Sequence, residues 1–389
     1  MAKVDLTVSA ECESPADPWL GNLADRLRAD RAQSVLCLVP TGDAARRLEE
    51  RLLGEFHLPG LFGAPSRTFY RLARDIARDT RLGGHDLSRL QRSLLLEEIA
   101  ADVDVPALAR VQRFPGFAAA LGDLIGELKL AMVHPEELGG AIEAVPKLET
   151  ELASKLRDIL ALYQRYQAIL ETKRLHDAEG LMWHAVSALE KGDASLPARV
   201  LFVHGFRSFN QVQLRLLRII AQAADEVFIK LHHDETRPEA FATAQRAIAA
   251  LREDVRAQRA VPLPTVVAAA QTDMAHVAAN LFRLDAPTRA SDGSLTIIEA
   301  GSPTLEADQI AREIRQLAAG GNVCYSDIAV IVRGADARTR FAHVLTRLTV
   351  PIRRCREPLG SSQLGRTVLG ALRVIRDGWP AAAVGALLK

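Results

Sequence analysis

The chain has 389 residues, 48% of them hydrophobic and 25% charged, with a formal net charge of +1. That length fits two to three domains with full cores, and it excludes a disordered chain, a collagen-like repeat and a disulfide-stapled miniprotein. Near neutrality also excludes a polybasic protein of histone type, while leaving room for local patches.

The start, Met1-Ala2-Lys3-Val4-Asp5, meets an acid before any apolar core, so no secretory leader is expected. No apolar run approaches the roughly 18 residues of a membrane span. Cys12, Cys37, Cys324 and Cys355 form no Cys-x-x-Cys pair. Zinc-ribbon and dithiol chemistry are therefore not expected, and reduced thiols in a cytoplasmic protein are.

In chain order, Val4–Ser9 alternates like a strand and Trp19–Ala29 has helical spacing. Ser34–Val39 is a short apolar run of the buried parallel-strand type. Pro40-Thr41-Gly42-Asp43 reads as a turn, Ala44–Phe56 as a helix, Leu61–Ala64 as a brief strand and Ser66–Thr80 as a helix. This is the grammar of an α/β layered domain. From Asp86 to about Pro197 the pattern turns helical throughout, with Leu152, Leu156, Ile159, Leu160, Tyr163, Tyr166, Ile169 and Leu170 marking one buried stripe. Strand grammar resumes at Arg199–Val203 and Val227–Leu231, flanking an amphipathic helix. A further unit follows, with strands expected at Leu295–Glu299, Ile328–Val332 and near Ile352–Arg353, and helices at Thr304–Ala318 and Ala337–Arg347. The expected division is 1–85 and 199–288 as one α/β lobe, 86–198 as a helical insertion into it, and 289–389 as a second, partial lobe.

Three stretches then occur in order. Leu38-Val39-Pro40-Thr41-Gly42-Asp43 resembles motif Ia of UvrD-type superfamily 1 helicases, whose loop meets the single-strand backbone. Arg67-Thr68-Phe69-Tyr70-Arg71-Leu72-Ala73 is similar to the Thr-Phe-His-Ser-Leu-Ala motif that follows it there. Val203-His204-Gly205-Phe206-Arg207-Ser208-Phe209-Asn210-Gln211 stands where that superfamily carries Val-Asp-Glu-Phe-Gln-Asp-Thr-Asn-x-x-Gln. Tyr325–Arg333 resembles the opening of a second motor lobe, whose strand-end arginine (here Arg333) reaches nucleotide phosphates in active members. With the helix Lys155–Asp177 and the run Pro358–Leu369, the whole resembles the AddB-type subunit of bacterial helicase–nucleases. The resemblance implies a RecA-like (P-loop NTPase-like) parallel-sheet lobe with a large helical insertion, then a second, partial RecA-like lobe. It also implies a chain that stops inside that lobe, short of a C-terminal nuclease.

Departures from the family pattern matter as much. A phosphate-cradling loop needs glycines, a lysine and a Ser/Thr. At that place the chain reads Ser9-Ala10-Glu11-Cys12-Glu13-Ser14-Pro15-Ala16-Asp17-Pro18, with three acids and two prolines. His204 and Gly205 replace the metal-holding acids of motif II, and neither offers a hard anionic oxygen. Glu11, Ser14, His204, Gly205 and Arg333 are accordingly read as a degenerate nucleotide site, with no catalytic residue and no cofactor in this chain; magnesium and an iron–sulfur cluster are expected only in the longer parent. DNA contact needs no ATP, so Thr41, Arg46, Arg67, Thr68, Phe69 and Arg71 are the expected DNA-binding residues, with Arg47, Arg74 and Arg78 as a basic flank. The same residues also read as caps, core and solvated face. Glu127-Leu128-Lys129 matches part of a nuclease motif but lies on a helix, and His232-His233-Asp234-Glu235 lacks a third metal partner.

The expected function is a non-catalytic DNA-binding region of a helicase–nuclease subunit in double-strand break repair and end resection. Its partners would be single-stranded or end-bearing double-stranded DNA and an ATP-driven helicase–nuclease subunit, with no membrane. The rival readings are a docking scaffold that touches no DNA, and a residual ATPase.

Overall fold

A computed structural model describes residues 3–9, 17–29, 34–61, 63–80, 84–114, 116–145, 149–255, 258–259, 272–352, 363–376 and 378–387. The chain divides into two units, Met1–Ala270 with Asn280–Pro287, and Gln271–Ala279 with Thr288–Lys389.

The first unit opens with β1 (Lys3–Ser9), α1 (Pro18–Ala29), β2 (Val35–Leu38), α2 (Gly42–Gly54), β3 (Ser66–Arg67) and α3 (Phe69–Asp79). A helical stretch follows, with β4 (His85–Asp86), α4 (Arg89–Asp102), α5 (Phe117–Leu130), α6 (Pro135–Ala144), α7 (Thr150–Lys173), β5 (Leu175–His176) and α8 (Ala178–Lys191). The unit returns to its sheet with β6 (Val200–Val203), α9 (Gln211–Ala223), β7 (Glu226–His232), α10 (Ala242–Asp254) and β8 (Gln258–Arg259). Six strands form one sheet in the order β3-β2-β6-β7-β1-β8, and every pairing is parallel.

Parallel strands must be covered on both faces, which is why β2 and β6 read as unbroken apolar runs. Leu36, Leu38, Leu201, Val203 and Ile229 face one way, into a core built with α3, α8, α9 and α10. Val35, Cys37, Val39 and Phe202 face the other, under α1 and α2. Burial pushes the Cys37 thiol far above its ordinary range, so it stays protonated core. Periodicity alone assigns α8 to the insertion, but its Met182, Ala185, Val186 and Ala188 belong to the sheet's own core.

The helices between β4 and β5 carry a separate core of Leu96, Ile99, Leu121, Ile125, Leu162, Tyr163, Tyr166 and Leu170. The paired β4 and β5 close its base in a two-residue parallel ladder, His85 opposite Leu175 and Asp86 opposite His176. An all-helical reading of this stretch misses that ladder, because two residues are too short to show a period.

The second unit contains α11 (Asp273–Asn280) up to Ala279, α12 (Pro303–Ala319), α13 (Ala335–Arg347), α14 (Gln363–Arg376) and α15 (Ala381–Leu387). Ala307, Ala311 and Ile314 of α12 pack on Phe341, Val344 and Leu345 of α13. The strands expected at 295–299 and 328–332 are not formed; both segments run without a ladder partner. Ile297 and Ile331 are 89% and 94% exposed, so strand-like composition alone, without a neighbouring strand, does not make one. Of the strand expected near Ile352–Arg353, Arg353 lies outside the described residues. In the first unit, of the strand expected at Leu61–Ala64, Phe62 lies outside the described residues and Leu61, Gly63 and Ala64 are not in a strand; the ladder forms instead at β3, Ser66–Arg67. Pro65 contributes only its carbonyl, accepting from Cys37 N at 2.7 Å, and Thr68 then caps α3. No described helix is long and apolar enough to cross a membrane.

Candidate nucleic-acid interface

The winding of the sheet marks one crevice. The chain leaves β1 towards β2 through α1 on one face, and leaves the neighbouring β7 towards β8 through α10 on the other. Open α/β sheets bind ligands beyond the carboxyl ends of two such strands. Among the described residues, side chains of the chain itself pack into it. Asp17, 2% exposed, makes a salt bridge to Lys230 of β7, 5% exposed. The same carboxylate accepts the Trp19 N–H at 3.0 Å and so starts α1. The Trp19 ring stacks on His204 with centroids 5.3 Å apart and meets Phe202 edge-on at 5.1 Å. Burial, reinforced by the nearby Lys230 charge, lowers the His204 pKa to about 4, so its imidazole is neutral at pH 7. The one described lysine facing the crevice is thus already matched by a carboxylate. Glu11 and Ser14 lie outside the described residues.

The loops after β3, β2 and β6 lie side by side along the same edge. Val39 N donates to Arg67 O at 2.9 Å and His204 N to Leu38 O at 2.9 Å, which ties the three strand ends together. Gly205 has φ +80°, and a Cβ there would sit 3.4 Å from Pro40 Cδ. Thr41 is exposed and caps α2, accepting from Ala44 N at 3.1 Å. Thr68 caps α3, accepting from Arg71 N at 3.2 Å. Two helix N-termini therefore open on adjacent strands, each favouring an anion. Phe69 is 3% exposed; its ring meets Phe206 edge-on at 5.4 Å, and Phe206 stacks on Phe209. It forms the floor under the loops rather than a platform for a base.

The arginines divide into two groups. Arg46 pairs with Asp43 and Glu50, and Arg67 with Asp75 while donating from Nε to Ala64 O at 3.1 Å. Arg47, Arg71 and Arg207 carry no ion pair among the described residues. Arg74 and Arg78 lean on Asp86 and Asp75 at 3.5 and 3.8 Å. Arg333 is exposed in the second unit.

Sequence reasoning missed Asp17, Trp19 and Lys230. The signal was present: a lysine inside the apolar strand Val-Phe-Ile-Lys-Leu needs a buried carboxylate, and Asp17 is the one supplied. A second buried pair explains Glu127-Leu128-Lys129. Lys129 Nζ sits 2.7 and 2.8 Å from the Asp177 oxygens, and Asp177 also accepts from Tyr166 Oη at 3.0 Å and Gly180 N at 2.7 Å. Trp183 Nε1 donates to Lys129 O at 2.7 Å. A cleft of about 690 Å³ opens beside this network, lined in part by His134, Gln167, Arg174 and Glu190. Asp234 turns back on Thr236 and Arg237, and no metal-holding cluster exists among the described residues.

These features define an open, parallel α/β lobe whose ligand crevice is closed by its own side chains and whose neighbouring edge offers paired helix N-termini. Residues 19–277 match the family described as "ADDB, N-terminal". The chain belongs to that family. Among curated relatives, it is 27% identical over 303 residues to the B-type subunit of the ATP-dependent helicase/deoxyribonuclease of Listeria innocua, covering 74% of this chain and 26% of that protein. It is 25% identical over 386 residues to the protein of the same name from Bacillus cereus, covering 92% of this chain and 32% of the relative. The chain thus spans about a third or less of the length of these relatives.

Proposed function

We propose that the chain is a nucleotide-independent DNA-holding region of a helicase–nuclease subunit acting in double-strand break repair and end resection. On this reading the first unit is a RecA-like lobe, 1–85 with 199–288, interrupted by the insertion 86–198, and 289–389 begins a second such lobe. The single observation that carries the proposal is the contrast along one sheet edge. The crevice at β1 and β7 is packed with Asp17, Lys230, Trp19 and His204, while the adjoining loops carry an exposed Thr41, a half-buried Thr68 and the exposed Arg71 and Arg207. An anionic backbone meets donors there without competition from a triphosphate site. A partner subunit would supply ATP-driven translocation in the cytoplasm, and a nuclease elsewhere in the parent polypeptide would supply cleavage, with magnesium and an iron–sulfur cluster belonging to that part.

Anisotropy of a labelled single-stranded oligonucleotide, titrated across salt, tests this. Binding should weaken with a log–log slope of about −0.7 per phosphate contact. Arg71→Gln and Arg207→Gln should each reduce the slope by about one contact. Calorimetry with magnesium–ATP should show no binding, and tight binding would restore the ATPase reading. The burial of Phe69 and the internal pairing of Arg46 and Arg67 favour a second reading, a docking scaffold without DNA contact. Absence of any oligonucleotide binding would select it.

A further inference from the structure

The filled crevice and the open edge are joined by an unbroken run of contacts within the first unit. Lys230 holds Asp17; Asp17 caps α1 and thereby places Trp19; the Trp19 ring lies on His204. His204 N donates to Leu38 O at 2.9 Å, and the next residue, Gly205, in its left-handed conformation, lies close enough to Pro40, which immediately precedes Thr41, that a Cβ there would sit 3.4 Å from Pro40 Cδ. The links from Lys230 to Leu38 are hydrogen bonds or ring contacts within the fold, and the last, Gly205 to Pro40, is a close approach of the backbone. In a lobe that binds and releases a ligand at its switch point, such a run would have two arrangements, one for each ligand state. Here the crevice contents are covalently part of the chain and do not leave.

We infer that Asp17, Trp19, His204 and Lys230 are positioning residues: an internal plug that fixes the Thr41 loop in one strand-holding conformation. The inference rests on the DNA-holding reading above and adds to it the residues that make the grip constant. None of the four touches DNA in this scheme; they act through the β6–Gly205–Pro40 contact. The stack matters for its shape, since neutral His204 presents a flat face to Trp19. The ion pair matters because it anchors the turn into α1 to β7 with no mobile ligand between them.

The test uses the full chain and a labelled single-stranded oligonucleotide. His204→Ala removes the stack without leaving a buried charge, and should weaken binding by roughly three- to thirtyfold, the usual range for coupling through a packed network. His204→Phe keeps a flat ring over Trp19 and should restore wild-type affinity, which a generally loosened fold would not do. Lys230→Met strands the Asp17 carboxylate and should weaken binding as well. Asp17→Asn with Lys230→Met keeps the cap oxygen, removes both charges and should recover affinity. Magnesium–ATP should leave the wild-type affinity unchanged. If the wild type binds DNA and His204→Ala binds equally well, or His204→Phe fails to rescue, the plug is not a positioning device. An ATP-dependent shift in affinity would overturn the inference too. If the wild type binds no DNA, the functional reading itself fails, and the two failures are told apart.

Discussion

His204 packs on an indole face close to a buried ammonium, an environment that refuses a second positive charge. Its pKa of about 4 lies below the ordinary 6.5, so the unfolded chain takes up this proton first as pH falls. Stability present in full above pH 6.5 should therefore drain between pH 6.5 and 4, by about 3 kcal/mol for this group. Urea denaturation at stepped pH should show the limb, and His204→Gln should flatten it. The Lys129–Asp177 pair answers in a lower window. Burial works to raise the Asp177 carboxyl, but the Lys129 charge and hydrogen bond and the Gly180 N–H outweigh it and hold the group below 3.8. Its contribution is present above that value and is lost as pH falls through the depressed pKa. Lys129→Met should cost about 3–5 kcal/mol by leaving a buried carboxylate without its counter-charge, measurable as a lowered urea midpoint. At this scale the sequence reveals half of each pair. Lys230 and Lys129 are visible as misfit charges in apolar surroundings, but Asp17 and Asp177 lie 213 and 48 residues away from them, and no local pattern reports such a distance.

At the level of elements, the loop after β6 depends on one backbone conformation. Gly205→Ala forces an L-residue to φ near +80° and brings its Cβ against Pro40, which should cost about 1–2 kcal/mol. A chemical-denaturation midpoint checks the cost, and the contact chain to Thr41 makes weaker DNA binding the companion expectation. Helices are legible in the sequence wherever caps and period agree: α2 after Thr41, α3 after Thr68 and α9 after Asn210 begin at side chains that satisfy their first amides. Buried strands β2, β6 and β7 are legible as apolar runs. Segments 295–299 and 328–332 carry the same composition yet form no ladder, because pairing depends on a neighbour that composition does not encode. Thr68 and Phe69 fit both a DNA contact and a cap with its core neighbour from sequence alone; the structure places them as cap and floor.

At the scale of the whole molecule, 49 basic and 48 acidic residues nearly cancel. Many exposed arginines spend their charge on a neighbour three or four residues away, as Arg28, Arg46 and Arg312 do. On the proposed DNA-holding reading, affinity for a polyanion comes from locally grouped unpaired positions, so binding should be modest and steeply suppressed by salt rather than driven by long-range attraction. The α/β class with a helical insertion is readable from the change of periodicity at Asp86 and its return at Arg199.

Strand β1 is synthesised long before the strand it pairs with, since the register joins Lys3 to Glu226 and the ladder runs on to His232 of β7. On a ribosome adding roughly 5–20 residues per second, β1 waits on the order of ten to forty seconds before that partner exists. During that time its apolar residues Val4, Leu6 and Val8 have no sheet to join. The nascent chain should therefore keep these residues unpaired until β1 is seated between β7 and β8. The insertion, built from sequence-local helices, should be complete long before the lobe that carries it.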